Sequence, residues 1–439
     1  MGCCCATLSK APAEVTGTYE TAVPYYVGKC LPSDEVIVDQ WLQKQIEEVE
    51  RKTPPDPLDQ VVQRFKDAIE SSAELSMFFG QMFAEVPTNY HKKTPTSRGL
   101  VKDYHHMLQI INHVLTKPPE FRDNTTTLTY PITAILTKPM KTIDGYVAFL
   151  NPKVNYHMKS ILNKWGDFLK SPNSCSVLNT DGWFSAKAIE KMGGNFEDDF
   201  ICDPSKPHYG FVSWDDFFTR KLQPNARPIA YPDDRRVIVN ACESMPFRIE
   251  KQVTKHGKFW IKGQPYNLKF MLADDTLAEK FVGGTVYQGL LMLYNYHRWH
   301  SPVDGKIVKA FVADGTYYSY PLGNGNEDYN NLPVSDYVQG YLTEVAARAI
   351  IFIEADNPYI GLMCFIAVGM LEVSSCEITV KEGQSVKKGQ QTGTFHFGGS
   401  SHCLIFRPGV ELEFDFHGEE PGFNTNSIKI NSRIATVPK

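Results

Sequence analysis

The spacing of apolar residues changes period near residue 200, and that change constrains the fold more than any other feature. Before it, apolar side chains recur three and four apart. Trp41, Leu42, Ile46 and Val49 do so within Asp39–Arg51, and Val61, Val62, Phe65, Ile69, Leu75, Phe78, Phe79 and Phe83 within Leu58–Val86. Such spacing lays an apolar stripe along a helix. Leu100–Leu115 and Ile132–Leu169 continue the pattern, broken by Pro118, Pro119, Pro131, Pro139 and Pro152. After it, strand-like runs dominate: Val237–Ala241, Phe247–Val253, Lys258–Ile261, Thr285–Tyr296, Lys306–Val312, Ile350–Glu354, Ile360–Val373 and Gly393–Phe397, with turn residues between them. The expectation is an α+β chain in three parts. Residues 1–33, rich in small residues, Pro and Gly, form a weakly ordered terminus; 34–200 form a helical domain; 201–439 form a β-rich domain.

Charge and composition exclude several classes. The formal net charge is -5 and no basic cluster occurs, which argues against binding nucleic acid by phosphate neutralisation. The longest apolar run, near Ile360–Leu371, is shorter than the ~20 residues of a membrane helix. It lies between Glu354/Asp356 and Glu372 and reads as buried strand. No secretory signal peptide is visible, and the ten cysteines are scattered without a CxxC pair, as reduced thiols of a cytosolic protein would be. Cys3, Cys4 and Cys5 beside Gly2 are the one feature suited to membrane association; Ala6 stands where a myristoylation signal wants Ser or Thr. His105, His106 and His113 lack ligand spacing and read as surface or packing residues, so no metal is expected.

The chemistry concentrates in Val380–Phe406. Glu382–Gly389 is similar to the hairpin of biotinyl and lipoyl domains, and Ser301–Val308 has a matching form of Pro, turn Gly and strand. Gly398-Gly399-Ser400-Ser401 follows, between Phe395-His396-Phe397 and Leu404-Ile405-Phe406. A tight turn in a buried sheet fits that setting. Gly399 leaves its carbonyl sterically open. The Ser400 hydroxyl could attack it, turn the amide into an ester, and break the chain by elimination. Hydrolysis of the resulting dehydroalanine would leave a pyruvoyl group at residue 400. Ser401 is the competing hydroxyl.

These residues resemble the phosphatidylserine decarboxylase family, whose Gly-Ser-(Ser/Thr) processing site fits Gly399-Ser400-Ser401. Phe211–Ile229 resembles its FFxRxLxPxxRPI stretch, Lys262–Leu272 its KGxxYxLxxLL, and Tyr296–Gly305 its YHRxHxPxxG, in the family's order. Within the family the likeness is closer to the fungal L-tryptophan decarboxylases, which share FHFGGSS (Phe395–Ser401), YHRWH (Tyr296–His300), Ala241–Ser244 and Phe352–Asn357.

The resemblance implies a self-cleaving enzyme with a biotinyl/lipoyl-like barrel-sandwich core. Its cofactor would be the covalent pyruvoyl group made from Ser400 after cleavage between Gly399 and Ser400, with no need of pyridoxal phosphate. By the same resemblance His300 is the base that activates the serine, and His297 donates a proton to the substrate after CO2 loss. Glu243 matches the family's Asp and would orient His300. Asn295 stands where the family has an acid before YHR, and Asp304 reads as turn structure. Trp299, Phe397 and Tyr296 fit core and substrate pocket equally. The implied reaction is L-tryptophan to tryptamine. The alternatives are phosphatidylserine decarboxylation, and an uncleaved scaffold that keeps the barrel without the chemistry. The expected partner is a small amino-acid substrate.

Overall fold

The computed structural model describes residues 35–86, 101–121, 130–255, 266–321, 334–372, 375–397 and 400–438. Cys3–Cys5, the strand expected at Lys258–Ile261 and Gly399 lie outside them, as does the start of the KGQPYNL stretch.

The first half is helical: α1 (Glu35–Glu50), α2 (Gln60–Glu70), α3 (Ala73–Ala84), α4 (Tyr104–Val114), α5 (Pro131–Leu136), α6 (Ile143–Leu150) and α7 (Pro152–Leu169). Of the stripe read from the sequence, Val62, Phe65 and Ile69 on α2 and Leu75 and Phe79 on α3 are buried, joined by Met82, while Val61, Phe78 and Phe83 are half-buried. Phe65 and Phe79 meet edge to face at 5.5 Å. Leu58–Val86 is two helices, because the Ser72 hydroxyl accepts the Leu75 N–H (3.3 Å) and starts α3 afresh. Pro131 and Pro152 open α5 and α7, where a missing N–H leaves no bond unmade. Of the α4 histidines, His113 ties the helix to α1, its Nε2 3.0 Å from Glu48 Oε2, while His106 Nδ1 accepts the Lys102 N–H just before the helix.

Three short helices, α8 (Ala186–Lys191), α9 (Phe196–Asp199) and α10 (Trp214–Phe218), lead into the sheets. The strands are β1 (Val237–Val239), β2 (Met245–Lys251), β3 (Thr285–Leu291), β4 (Arg298–His300), β5 (Gly305–Ala313), β6 (Arg348–Ala355), β7 (Leu362–Val368), β8 (Ser375–Ile378), β9 (Ser385–Val386), β10 (Gln391–His396), β11 (Ser400–Phe406), β12 (Glu413–Phe414) and β13 (Arg433–Thr436). Two more helices, α11 (Leu268–Met271) and α12 (Val334–Val345), sit between strands. A seven-stranded sheet has the order β2-β3-β11-β7-β6-β5-β9; β4-β10-β8 and β1-β13-β12 form three-stranded sheets, and every ladder is antiparallel. All of β3 is buried, as is nearly all of β7, which explains runs without alternation. The chain is thus a mixed α and β protein, helical first and sheet-rich second.

β1 and β2 stop slightly before their expected ends, and the two longest expected strands stop well short. The run Thr285–Tyr296 stops at Leu291, because the Asn295 Oδ1 accepts the Met292 N–H (2.6 Å) and bends the chain. The run Ile360–Val373 yields β7 only, and Leu371 has turned to φ +57°. The Glu382–Gly389 hairpin turns at Gly383 and Gly389 (φ +82° and +78°), and β9 pairs with β5 through Gly305 opposite Val386. Asp304 staples this junction by accepting the Lys388 N–H at 3.0 Å, a structural part as expected.

Candidate active site

The chain passes from β10 to β11 through residues 397–399, and so from one sheet to another. Beside β10 lies the YHRWH segment: Gln391 pairs with His300, Gly393 with Trp299 and Thr394 with Arg298. The Phe395 N–H then donates to the His297 carbonyl (3.0 Å). Both histidines therefore flank the strand that leads to Ser400. His297, opposite Phe395, is the nearer to residue 397 along β10. On the other side β11 is central, with Ser401 opposite Leu290 of β3 and Val368 of β7. Phe397, the last described residue before Ser400, is buried at φ +29°, a conformation costly for a residue with a side chain.

The FFTRKL…RPI stretch organises this segment. Phe218 covers the His297 ring (centroids 4.1 Å apart) and also meets Phe397 (5.9 Å). The Thr219 carbonyl accepts from Arg298 Nε (2.8 Å). Arg220 donates to the carbonyls of Tyr294 (2.6 Å) and Asn295 (3.2 Å), which fixes the bend before Tyr296. Arg227 is buried between two carboxylates, donating to Asp199 at 2.7 and 3.0 Å and to Glu243 at 2.8 and 3.2 Å.

Glu243 and His300 thus have separate partners. The sequence suggested a Glu243–His300 contact. Among the described residues both Glu243 oxygens go to Arg227, while His300 Nε2 meets the Tyr296 hydroxyl at 3.1 Å. His300 and Ala241 remain neighbours through the His300 N–H to Ala241 carbonyl bond (2.8 Å). Burial pushes the His300 pKa down to about 4, against the opposing pull of the Asn431 side chain and the Gly389 backbone. The imidazole is therefore neutral near pH 7 and able to take a proton.

Other parts went unread in the sequence. Ser401 Oγ accepts from Gln288 Nε2 (3.2 Å), and Gln288 Oε1 from the Tyr266 hydroxyl (2.7 Å), so the Tyr of the KGQPYNL stretch supports the serine pair. His396 stands between Asp215 (2.9 Å) and Glu377 (2.8 Å); burial lowers its pKa, but the two carboxylates outweigh it and the net shift is upward. Trp299 is core: it packs on Phe365 and Phe395, and a Cβ at Gly393 would lie 2.4 Å from its ring. Tyr296 and Phe397 are buried as well. Among the described residues no group of three or more His, Cys, Asp or Glu could hold a metal ion, and no helix is long and apolar enough to cross a membrane.

Comparison with known proteins agrees with the motifs. Two sequence models described as phosphatidylserine decarboxylase match, one over residues 59–192 and one over 214–435. The chain belongs to the phosphatidylserine decarboxylase family. This family member is 44% identical to the decarboxylase iboD of Amanita muscaria over 354 residues, which cover 75% of this chain and 100% of the relative. It is 35% identical to the L-tryptophan decarboxylase of Psilocybe cubensis over 398 residues (86% of each chain). It is 38% identical to that of Psilocybe cyanescens over 348 residues, or 75% of this chain and 77% of the relative. The chain is a decarboxylase, a carboxy-lyase.

Proposed function

We propose that this decarboxylase makes a pyruvoyl group from Ser400 and uses it to remove CO2 from an aromatic L-amino acid, L-tryptophan first among them. The observation that carries the reading is the run from β10 through Phe397 at φ +29° into β11 at Ser400, with the His297–His300 segment alongside β10. The surroundings fit the group: the flanking strands are buried, and Ser401 is already engaged by Gln288, which favours Ser400 as its source.

In the self-cleavage, the Ser400 oxygen adds to the Gly399 carbonyl, and the C–N bond gives way to a C–O ester. Neutral His300 takes the hydroxyl proton, directly or through the Tyr296 hydroxyl, and the freed amine is protonated. In the elimination His300, neutral again once the amine has taken its proton, removes the Cα proton of residue 400. The Cα–H electrons form the Cα=Cβ bond, the Cβ–O bond breaks, and residues 1–399 leave with a carboxylate end. Water then converts the residue 400 enamine to a ketone with loss of ammonia. The pyruvoyl group held at residue 400 at the head of β11 would supply an electrophilic ketone for the substrate amine and a sink for the electrons that CO2 leaves behind. His297 supplies the proton that replaces CO2 on the α-carbon, held in place by Phe218. The dry surroundings of this segment exclude water and strengthen the interactions that orient the substrate. Glu243 acts by anchoring Arg227.

The architecture proposed with it is a helical domain over 34–200 and a catalytic domain over 201–439. The β5–β9 pairing and the glycine turns of the hairpin support a biotinyl/lipoyl-like barrel sandwich in the latter. The substrate reading draws on the Psilocybe relatives, whose matches cover too much of the chain to be confined to the sheet-rich half.

Intact-mass spectrometry of the wild type should give two chains split between Gly399 and Ser400, the shorter with a blocked terminus, and L-tryptophan should yield tryptamine. Ser400→Ala should remain one piece and release no CO2. An uncleaved but active mutant would refute the scheme. Cleavage with turnover of phosphatidylserine vesicles and none of tryptophan would replace the substrate.

A further inference from the structure

The helical half touches the catalytic half on both sides of residues 398–399. On the β10 side, Phe397 meets Trp165 of α7 from the helical half and Trp214 of α10 from its own half, each with ring centroids 4.7 Å away. Tyr130, the residue before α5, adds a third ring at 6.0 Å. On the β11 side, β7 runs opposite Ser401 at Val368 and then bends through Leu371 (φ +57°) to Glu372. The Glu372 carboxylate is buried. It accepts the Thr133 N–H at 2.7 Å and the Thr133 hydroxyl through its second oxygen. Tyr130 is the N-cap residue of α5 and Thr133 lies in its first turn. That turn therefore holds Phe397 at one flank of the scissile bond and Glu372, just beyond the partner strand of Ser401, at the other.

Both contacts carry a local cost. A buried carboxylate is a poor adhesive, since desolvation offsets most of what its hydrogen bonds contribute. Burial raises the Glu372 pKa to about 7 even against the Thr133 donors. Phe397 sits in backbone angles that Gly tolerates better. Plain apolar packing would join the two halves without either cost, so their coincidence around one peptide bond points to a geometric task.

We propose that α5, with Trp165, is a clamp that holds the Gly399–Ser400 peptide in the conformation required for self-cleavage. The inference rests on the reading under Proposed function and deepens it. Thr133, Glu372 and Trp165 are positioning residues. The step they serve is formation of the ester from the amide, which needs the hydroxyl oxygen in line with the carbonyl. A displacement of about 1 Å costs such a step up to ~100-fold.

The test is a pulse-chase of freshly translated full-length chain, following conversion to two fragments. Thr133→Val, Glu372→Gln and Trp165→Leu should each slow cleavage about tenfold or more while the chains stay folded by circular dichroism. Thr133→Ser, which keeps the hydroxyl donor, should restore the rate. Hydroxylamine cuts esters directly, so it should leave the slow variants slow if the ester itself is not forming. Variant chains that do cleave should decarboxylate at the wild-type rate per cleaved chain. Folded variants that cleave at the wild-type rate would overturn the clamp alone. So would a fall in turnover per cleaved chain matching the fall in cleavage. A wild-type chain that stays in one piece would overturn self-processing itself, and the clamp with it.

Discussion

Replacing Glu243 by Gln separates two roles for this carboxylate, partner of Arg227 or partner of His300. The Arg227 side chain is 2% exposed and that of Glu243 11%. Removing one member of a buried pair costs ~3–5 kcal/mol when the other is left uncompensated. Arg227 keeps both bonds to Asp199, so roughly 2–3 kcal/mol is the expected loss, the scale of hydrogen bonds to a charged group. The measurement belongs in the Ser400→Ala chain, which stays in one piece whatever the variant does to processing. Urea unfolding of Glu243→Gln, Arg227→Met and the double variant gives a coupling energy. The structure implies about 2 kcal/mol for Glu243 with Arg227, and less than about 0.5 kcal/mol for Glu243 with His300 in a parallel cycle with His300→Ala. A larger coupling to His300 than to Arg227 would refute the pairing and return Glu243 to the place of a triad acid.

His300→Ala should leave most of the chain uncleaved, whereas His297→Ala should cleave and then lose at least about 100-fold in CO2 release, the usual worth of a positioned proton donor. Fragment mass and CO2 evolution decide it, and a reversed pattern would exchange the two roles, as the ladder position of His297 near Phe397 permits. The pH dependence of cleavage follows from His300. Its pKa is depressed to about 4, so the neutral, proton-accepting ring predominates above that value. The cleavage rate should be flat from about pH 5.5 to 8 and fall only as pH drops toward 4; half-maximal cleavage near an ordinary histidine pKa of ~6.5 would show that burial does not govern the ring.

The legible parts of the fold were those whose local pattern and tertiary environment agree. Val62, Phe65 and Ile69 are spaced for one helix face and lie on it, and Thr285–Leu291 is a continuous run because both its faces are covered. The break at Ser72 was hidden because apolar spacing continues through Leu75; only the serine side chain, read as a cap, marks it. β4 is three residues long and owes its existence to β10, far along the chain. α12 carries Val338, Tyr341, Leu342 and Val345 at helical spacing, a faint signal beside the strand runs around it. In the site, His297 and His300 are legible because their motif is local. The Arg227–Glu243 pair joins two motifs, the grip of Trp165 and Tyr130 on Phe397 crosses the two halves, and neither leaves a periodic trace. Asn295, read as a lost acid, caps a bend, work for which a short amide side chain is well suited.

β11 lies in the interior of the seven-stranded sheet, hydrogen-bonded to β3 on one edge and β7 on the other. Scission before residue 400 would therefore change the number of chains without changing the assembly. The released piece, residues 400–439, is about the size below which chains seldom fold alone, and its strands β11 and β13 lie against β3, β7 and β1 of the longer piece. Unfolding, unimolecular in an uncleaved chain, would become a dissociation in a cleaved one. The precursor should renature on its own. A cleaved pair, once melted, would have to find each other again at a rate set by dilution, so on the proposed scheme the reactive group would come at the cost of refolding unaided.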